Sequence, residues 1–171
     1  MNQFFIETFT SPIGPILLLT DADDRVRSLD WEDYAARLHD LLRLQYGTVD
    51  LKPRDGVSAA RRAIEAYFEG DLAAIDGVPV KTAGTGFQRE VWAALRTIGT
   101  GETTTYGKLA VRIGRPKAVR AVGAANGANP ISIIVPCHRV IGANMSLTGY
   151  GGGVERKRWL LRHEGAPIGR S

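Results

Sequence analysis

The chain has 171 residues, 44% of them hydrophobic and 23% charged, with a formal net charge of +4. That length buries a proper core without staples, and the composition excludes collagen, coiled-coil, disulfide-miniprotein and disordered classes. No apolar run of about 18 residues is present, which excludes a membrane helix, and the start Met1-Asn2-Gln3-Phe4-Phe5 lacks the basic and long apolar regions of a secretory signal. The single cysteine cannot close an intramolecular bridge, so the expectation is a cytoplasmic, reduced compartment.

In chain order, Phe4 to Thr10, Pro15 to Thr20 and Arg25 to Trp31 are short apolar or alternating runs separated by turn-forming Ser11-Pro12-Ile13-Gly14 and Asp21-Ala22-Asp23-Asp24. They predict a small antiparallel sheet. From Glu32 to Tyr46, the residues Tyr34, Leu38, Leu41 and Leu42 recur at helical spacing, and Gly47 supplies a stop. A second helix is predicted from Ser58 to Glu69, with Ile64, Tyr67 and Phe68 as its buried stripe and Gly70 as its end. The stretch Gly70 to Gly86 has little periodicity and reads as a connection between two lobes.

Charge supports the same division. Residues 1 to 80 carry 8 Lys and Arg against 14 Asp and Glu, net −6, whereas residues 81 to 171 carry 14 against 4, net +10. A basic C-terminal half beside an acidic N-terminal half suits a polyanion partner, and equally suits solvated surface helices.

The second half opens on Thr85-Gly86-Phe87-Gln88, a capping-box pattern. Phe87, Val91, Trp92, Leu95 and Ile98 follow as one apolar face. Thr105 is placed to cap a short helix through Ile113 with Leu109, Ala110 and Ile113 buried, and Gly114 ends it. Pro116 suits the first turn of a further helix to about Ala125, with Val119 and Val122 facing inward. Two short helices joined around a glycine fit a helix-turn-helix. The second is built of small residues, Ala118, Ala121, Gly123, Ala124 and Ala125, with Arg120 as its one long side chain. Two readings fit: a minor-groove surface with Arg120 as a wedge, or a small-residue face packed on another helix.

The apolar run Ile131 to Val135 predicts a buried strand or extended segment ended by Pro136, which delivers the sole cysteine, Cys137, beside His138 and Arg139. A buried cysteine is ordinarily an inert small hydrophobe. Here a base and a positive charge adjoin it, and both favour the reactive thiolate. Adjacent residues on an extended chain point to opposite sides, so Cys137 and His138 are expected to communicate through a turn or a water.

The run Asn129-Pro130 to Pro136-Cys137-His138-Arg139-Val140 resembles the O6-alkylguanine-DNA alkyltransferases. The likeness continues through Phe87 to Trp92, Thr105-Tyr106-Gly107, Arg120 to Gly123, Thr148 to Gly153 and Lys157 to Gly165, in the same order over nearly all of residues 85 to 165. It implies an α/β (α+β) fold: a ribonuclease H-like N-terminal sheet with helices over residues 1–80, and a mainly helical, winged helix-turn-helix-like domain over 81–171 that binds DNA and accepts the alkyl group. It implies direct-reversal repair, in which O6-alkylguanine, and O4-alkylthymine with it, is flipped from duplex DNA and gives its alkyl group irreversibly to Cys137 in a single turnover.

By the same resemblance His138 deprotonates Cys137 through a water, Glu164 orients His138, and Tyr106 donates a proton to guanine N3. Arg120, Ala121, Gly123 and Tyr106 meet DNA through the minor groove, and Asn129, Val140, Tyr150 and Gly151 shape the base pocket. Gly151 stands where some relatives carry serine. The zinc ligands of some relatives are absent, because residues 1 to 80 hold no cysteine and only His39. No metal and no cofactor are implied, since methyl transfer needs no external donor. The implied partner is double-stranded DNA and no membrane, with the protein a monomer and cooperative binding along DNA left open. A non-catalytic module that recognises alkylated bases is the alternative. Trp31, Trp92 and Trp159 read as core, and His163 as a helix-end residue.

Overall fold

The computed structural model describes residues 1–168, and its backbone gathers into two units, one from Met1 to Ala83 and one from Gly84 onward. The first unit is built on a four-stranded sheet in the order β3-β2-β1-β4, with β1 at Asn2–Phe9, β2 at Ile16–Thr20, β3 at Val26–Trp31 and β4 at Val49–Pro53. The two turn-forming segments close antiparallel hairpins, with Phe9 opposite Ile16 and Ile16 opposite Trp31. The fourth strand was not expected. It runs parallel to β1 from Asn2 opposite Val49 to Ile6 opposite Pro53, and its sequence Val49-Asp50-Leu51-Lys52-Pro53 is too short and too polar to stand out. Its parallel sense follows from the crossover through helix α1, Ala35–Tyr46.

Alternation along the strands assigns the two faces. Phe4 of β1 and Leu17 and Leu19 of β2 pack with Leu38 and Leu42 of α1 in one apolar cluster. On the opposite face Glu7 is buried and accepts from the backbone amide of Ser58 at 2.9 Å and from its hydroxyl. That carboxylate pins the start of α2, Ala59–Phe68, whose N-cap is Ser58 itself. Ile64 and Tyr67 of α2 are buried as expected, while Phe68 is only half-buried.

Three local expectations in this unit need correction. Glu32–Tyr34 form a 3-10 turn before the α-helix begins, and Tyr34 is exposed rather than core; the chain leaving β3 must turn before it can run back over the sheet. Leu41 is half-buried, at the margin of the stripe. The connection after α2 contains a 3-10 turn at Leu72–Ile75 with Ile75 buried, and a bridge from Val26 to Val80.

The second unit is mainly helical: α3 at Gly86–Leu95, α4 at Tyr106–Arg112, α5 at Val119–Gly127 and α6 at Val154–His163. Both arms of the capping box at α3 form, Gln88 N–H donating to Thr85 Oγ1 at 3.1 Å and Thr85 N–H to Gln88 Oε1 at 3.0 Å. Trp92 is 2% exposed and its indole N–H donates to the Ala125 carbonyl at 2.8 Å, fastening α3 to α5. Thr105 caps α4 by accepting from the Lys108 amide at 3.2 Å, and the two-residue strands β5, Thr104–Thr105, and β6, Val140–Ile141, pair in parallel. Ile141, Leu161 of α6 and Ala166 form a further apolar cluster. Trp159 is half-buried, its ring stacked on His163 at the end of α6, so it is not a core residue in the sense that Trp31 and Trp92 are.

The helix after α4 starts later than Pro116 suggests. Pro116 lies in the turn, α5 begins at Val119, and Val119 is exposed while Val122 is fully buried. Ile113, expected in the core, is half-buried at the end of α4. A larger correction concerns Ile131 to Val135, which is buried as expected but forms a tight turn instead of a strand. The Val135 amide returns to the Ile131 carbonyl at 3.1 Å and Ile134 to Ser132 at 2.8 Å. Ile133 takes a φ of +71°, a costly conformation for a β-branched residue. Side-chain hydrogen bonding replaces the missing ladder: buried Asn129 donates from Nδ2 to the Val135 carbonyl at 2.8 Å and the Ile131 carbonyl at 3.3 Å, and accepts from the Ile131 amide at 3.0 Å.

Candidate active site

Cys137 stands at the exit of this turn as the first residue of a 3-10 turn, Cys137–Arg139, and is 4% exposed. Its amide donates to the Val135 carbonyl at 2.8 Å, and its own carbonyl accepts from Asn126 Nδ2 of α5 at 3.5 Å. Both ends of the cysteine's backbone are thus held by neighbours, and the thiol inherits a fixed origin. Because the backbone is helical at 137–139 and not extended, the expectation of simple up-and-down alternation between Cys137 and His138 does not apply.

His138 is fully buried. Its Nε2 lies 2.8 Å from Glu164 Oε2. Opposing influences act on the ring: burial dominates and pushes the imidazolium below its ordinary value, while the neighbouring carboxylate works against it. The Glu164 carboxyl is held well below the usual carboxylate range despite its own burial, because His138 and Arg139 both donate to it. An ionised Glu164 can only accept, which assigns the proton of a neutral His138 to Nε2 and leaves a lone pair on Nδ1. That Nδ1 is buried and has no hydrogen-bond partner among the described residues.

Arg139 is 3% exposed and completes the cluster. It donates to Glu164 from Nε at 2.8 Å and from Nη2 at 3.1 Å, to the Ile98 carbonyl from Nη1 at 2.7 Å and to Thr100 Oγ1 at 3.3 Å. Its charge is committed to Glu164, so its effect on the cysteine is indirect, through the position of Glu164 and His138.

A second buried cation was not anticipated from the sequence. Lys157 of α6 is fully buried, with Nζ donating to the Val140 carbonyl at 2.6 Å, the Thr148 carbonyl at 3.3 Å and Thr148 Oγ1 at 3.4 Å. Burial lowers its ammonium to about 8, and attraction to a charge on Cys137 opposes that lowering. A lysine four residues into a charged helix reads as surface, and only its place between two carbonyls identifies it.

The remaining predicted residues fall into two groups. Tyr150 is half-buried with its ring edge-on to His138 at 6.4 Å between centroids, Val140 is buried in β6, and Gly151 is half-buried two residues before the left-handed Gly153 that starts α6. Tyr106 begins α4 and its hydroxyl lies 2.6 Å from Thr148 Oγ1. A Cβ on Gly123 would stand 3.8 Å from the Tyr106 ring, so the tyrosine lies against α5. Arg120 and Ala121 lie on the exposed side of α5 together with Ala124, opposite buried Val122, Ala125 and Asn126. The small residues are therefore divided, and the outer ones are not packed on another helix. Among the described residues, no group of three His, Cys, Asp or Glu side chains could hold a metal ion, and no helix is long and apolar enough to cross a membrane.

This arrangement defines a thiol protein whose cysteine is backed by a buried base and carboxylate and flanked by a small-residue helix. Two family models match the chain: the ribonuclease-like domain of 6-O-methylguanine DNA methyltransferase over residues 5–82, and the DNA-binding domain of the same family over residues 86–166. The chain is 52% identical over 170 residues to a methylated-DNA--protein-cysteine methyltransferase of Salmonella typhimurium, covering 96% of this chain and 98% of that one. It is 43% identical over 169 residues to the protein of the same name from Haemophilus influenzae, covering 98% and 89%. Among solved structures, Mycobacterium tuberculosis OGT in complex with DNA superposes with a TM-score of 0.79 at 44% identity, covering 96% of this chain and 95% of that one. The chain belongs to the 6-O-methylguanine DNA methyltransferase family.

Proposed function

We propose that this protein repairs DNA by direct reversal, taking the alkyl group of O6-alkylguanine, and of O4-alkylthymine, onto Cys137 in one irreversible turnover. The observation that carries the reading is the buried series Glu164, His138 and Cys137, held in a family whose relatives are named for methyl transfer to a protein cysteine. His138 Nδ1 takes the thiol proton through a water, and ionised Glu164 stabilises the imidazolium that results. The thiolate attacks the alkyl carbon. A carbon–sulfur bond forms, the bond from that carbon to O6 breaks, and its electron pair stays with the purine while Tyr106 delivers a proton to N3. A thioether is a poor leaving group, and nothing at the site supplies a second step, so each molecule acts once.

The reacting carbon is inaccessible in a stacked duplex, so the base must be flipped. The open, small-residue side of α5, with Arg120, Ala121 and Ala124, suits close approach to the minor groove, with Arg120 filling the space left in the stack. Tyr150, Gly151, Val140 and the turn braced by Asn129 surround the extruded base. In this reading residues 1–80 form a sheet and helix domain and residues 81–171 the DNA-binding and acceptor domain. The protein works as a monomer in the cytoplasm, where the thiol stays reduced.

Intact-protein mass spectrometry after incubation with a duplex containing one O6-methylguanine tests this. One methyl group per protein, mapped to Cys137 and absent from Cys137→Ser, is the expected result. Tight binding with unchanged mass overturns the transfer reading in favour of damage recognition.

A further inference from the structure

The hydroxyl of Thr148 sits between two groups that the mechanism and the fold each use. Tyr106 Oη is 2.6 Å from Thr148 Oγ1, and Lys157 Nζ approaches the same oxygen at 3.4 Å while also donating to the carbonyls of Val140 and Thr148. An ammonium has three protons and no lone pair, whereas a threonine hydroxyl has one proton and two lone pairs. Lys157 therefore donates to Thr148 and takes one of its lone pairs, and along the short line to Tyr106 either hydroxyl can be the donor. Two protons cannot occupy that line. When the Tyr106 proton is engaged by a substrate base, Thr148 is the group left to donate along it.

We propose that Thr148 is a positioning residue for alkyl transfer: it donates to the Tyr106 oxygen, turns the phenol proton toward the substrate base and stabilises the phenolate left when that proton is given up. The inference rests on the reading of Tyr106 as the donor to guanine N3. The balance is unchanged by it. The carbon–sulfur bond forms, the carbon–O6 bond breaks, the purine keeps the electron pair, and the proton on N3 comes from Tyr106. Thr148 keeps its own proton, and the phenolate is reprotonated from solvent after the base departs. A hydrogen bond from Thr148 strengthens as charge grows on the phenol oxygen, so its effect falls on the transfer step and not on DNA binding. Lys157, buried behind Thr148 and anchored on two carbonyls, holds the Thr148 oxygen in place from the side away from Tyr106.

The test uses single-turnover alkyl transfer from two duplexes, one containing O6-methylguanine and one containing O6-methyl-3-deazaguanine, which has no N3 to protonate. Thr148→Val keeps the shape and removes the hydroxyl. It is expected to slow transfer from O6-methylguanine about tenfold, as for a hydrogen bond to a group only partly charged in the transition state, with duplex affinity unchanged. On the deaza substrate it should match the wild type, and Thr148→Ser should keep the wild-type rate on both. Tyr106→Phe should slow transfer, and adding Thr148→Val to it should slow it no further. Thr148→Ala gives the same readouts if the valine variant melts early.

Equal slowing on both substrates overturns the inference, because the hydroxyl then serves packing. So does a Thr148→Val effect that multiplies with Tyr106→Phe, or a normal rate in Thr148→Val while Tyr106→Phe is slow. If Tyr106→Phe itself transfers at the wild-type rate, the reading of Tyr106 as donor fails and the inference goes with it.

Discussion

Replacing Glu164 by Gln is the sharpest perturbation of the buried cluster. The carboxylate accepts three hydrogen bonds, from His138 at 2.8 Å and from Arg139 at 2.8 and 3.1 Å, and the side chains of all three residues are at most 4% exposed. Glutamine fills the same space but carries no charge, and one of its two ends becomes a donor facing donors. Arg139 retains the Ile98 carbonyl and Thr100, yet its buried guanidinium is left without a counter-charge. Breaking one side of a buried ion pair in this way costs about 3–5 kcal/mol, which for a chain of this size lowers Tm by roughly 6–20 °C. Urea unfolding followed by tryptophan fluorescence, with thermal melting beside it, measures the loss. Adding Arg139→Met should recover part of it, because the stranded charge goes with the arginine. A Glu164→Gln protein within about 1 kcal/mol of the wild type, or a double variant that costs the sum of the two singles, would refute the argument that the cost is an uncompensated buried charge.

Three further outcomes follow from the structure. Arg120→Ala should slow transfer from duplex DNA by about two orders of magnitude or more, the equivalent of the few kcal/mol needed to unstack a base, while leaving reaction with free O6-methylguanine base within about twofold; equal loss on both substrates would remove the wedge role. Stability should fall on acidification, because neutral His138 and ionised Glu164 take up protons more readily once unfolded; the decline begins near pH 6.5, the ordinary histidine value, and steepens through the carboxylate range. On the alkaline side, Lys157 loses its proton near 8 in the folded protein but near 10.5 when unfolded, so the same measurement should show stability rising between those values and no such rise in Lys157→Met. Urea midpoints from pH 4 to 10.5 check both limbs, and a midpoint that increases toward acid would contradict the assignment.

Several local signals in the chain match the structure where a single segment carries its own reason. The capping box at Thr85 and Gln88, the stop at Gly47, the cap at Thr105 and the three antiparallel strands each depend on neighbours within a few residues. Cys137 and His138 stand out chemically in their surroundings, whereas Glu164 enters only through the family resemblance. Sequence and structure differ where a segment's conformation is set by hydrogen bonds from outside it and not by its own composition. Ile131 to Val135 has the composition of a strand, but Asn129 supplies the hydrogen bonds that a neighbouring strand would have provided, and a turn results. Strand β4 escaped notice because its pairing with β1 lies in long-range hydrogen bonds rather than in its apolar content.

The linear chain alone thus carries most of the order of helices and turns, the charge division between the two halves, and the one cysteine with a histidine beside it. Periodicity and caps are properties of consecutive residues, and a one-dimensional pattern holds them in full. The three-dimensional fold sets which nitrogen of His138 faces Glu164, that Arg139 spends its charge on that carboxylate, and that Lys157 is buried between the carbonyls of Val140 and Thr148. A charged side chain reveals nothing locally about whether it will be solvated or enclosed. That is settled by the desolvation cost and the partners available at one place in the fold, and Thr148 acquires its connection to Tyr106 only because two segments 42 residues apart meet there.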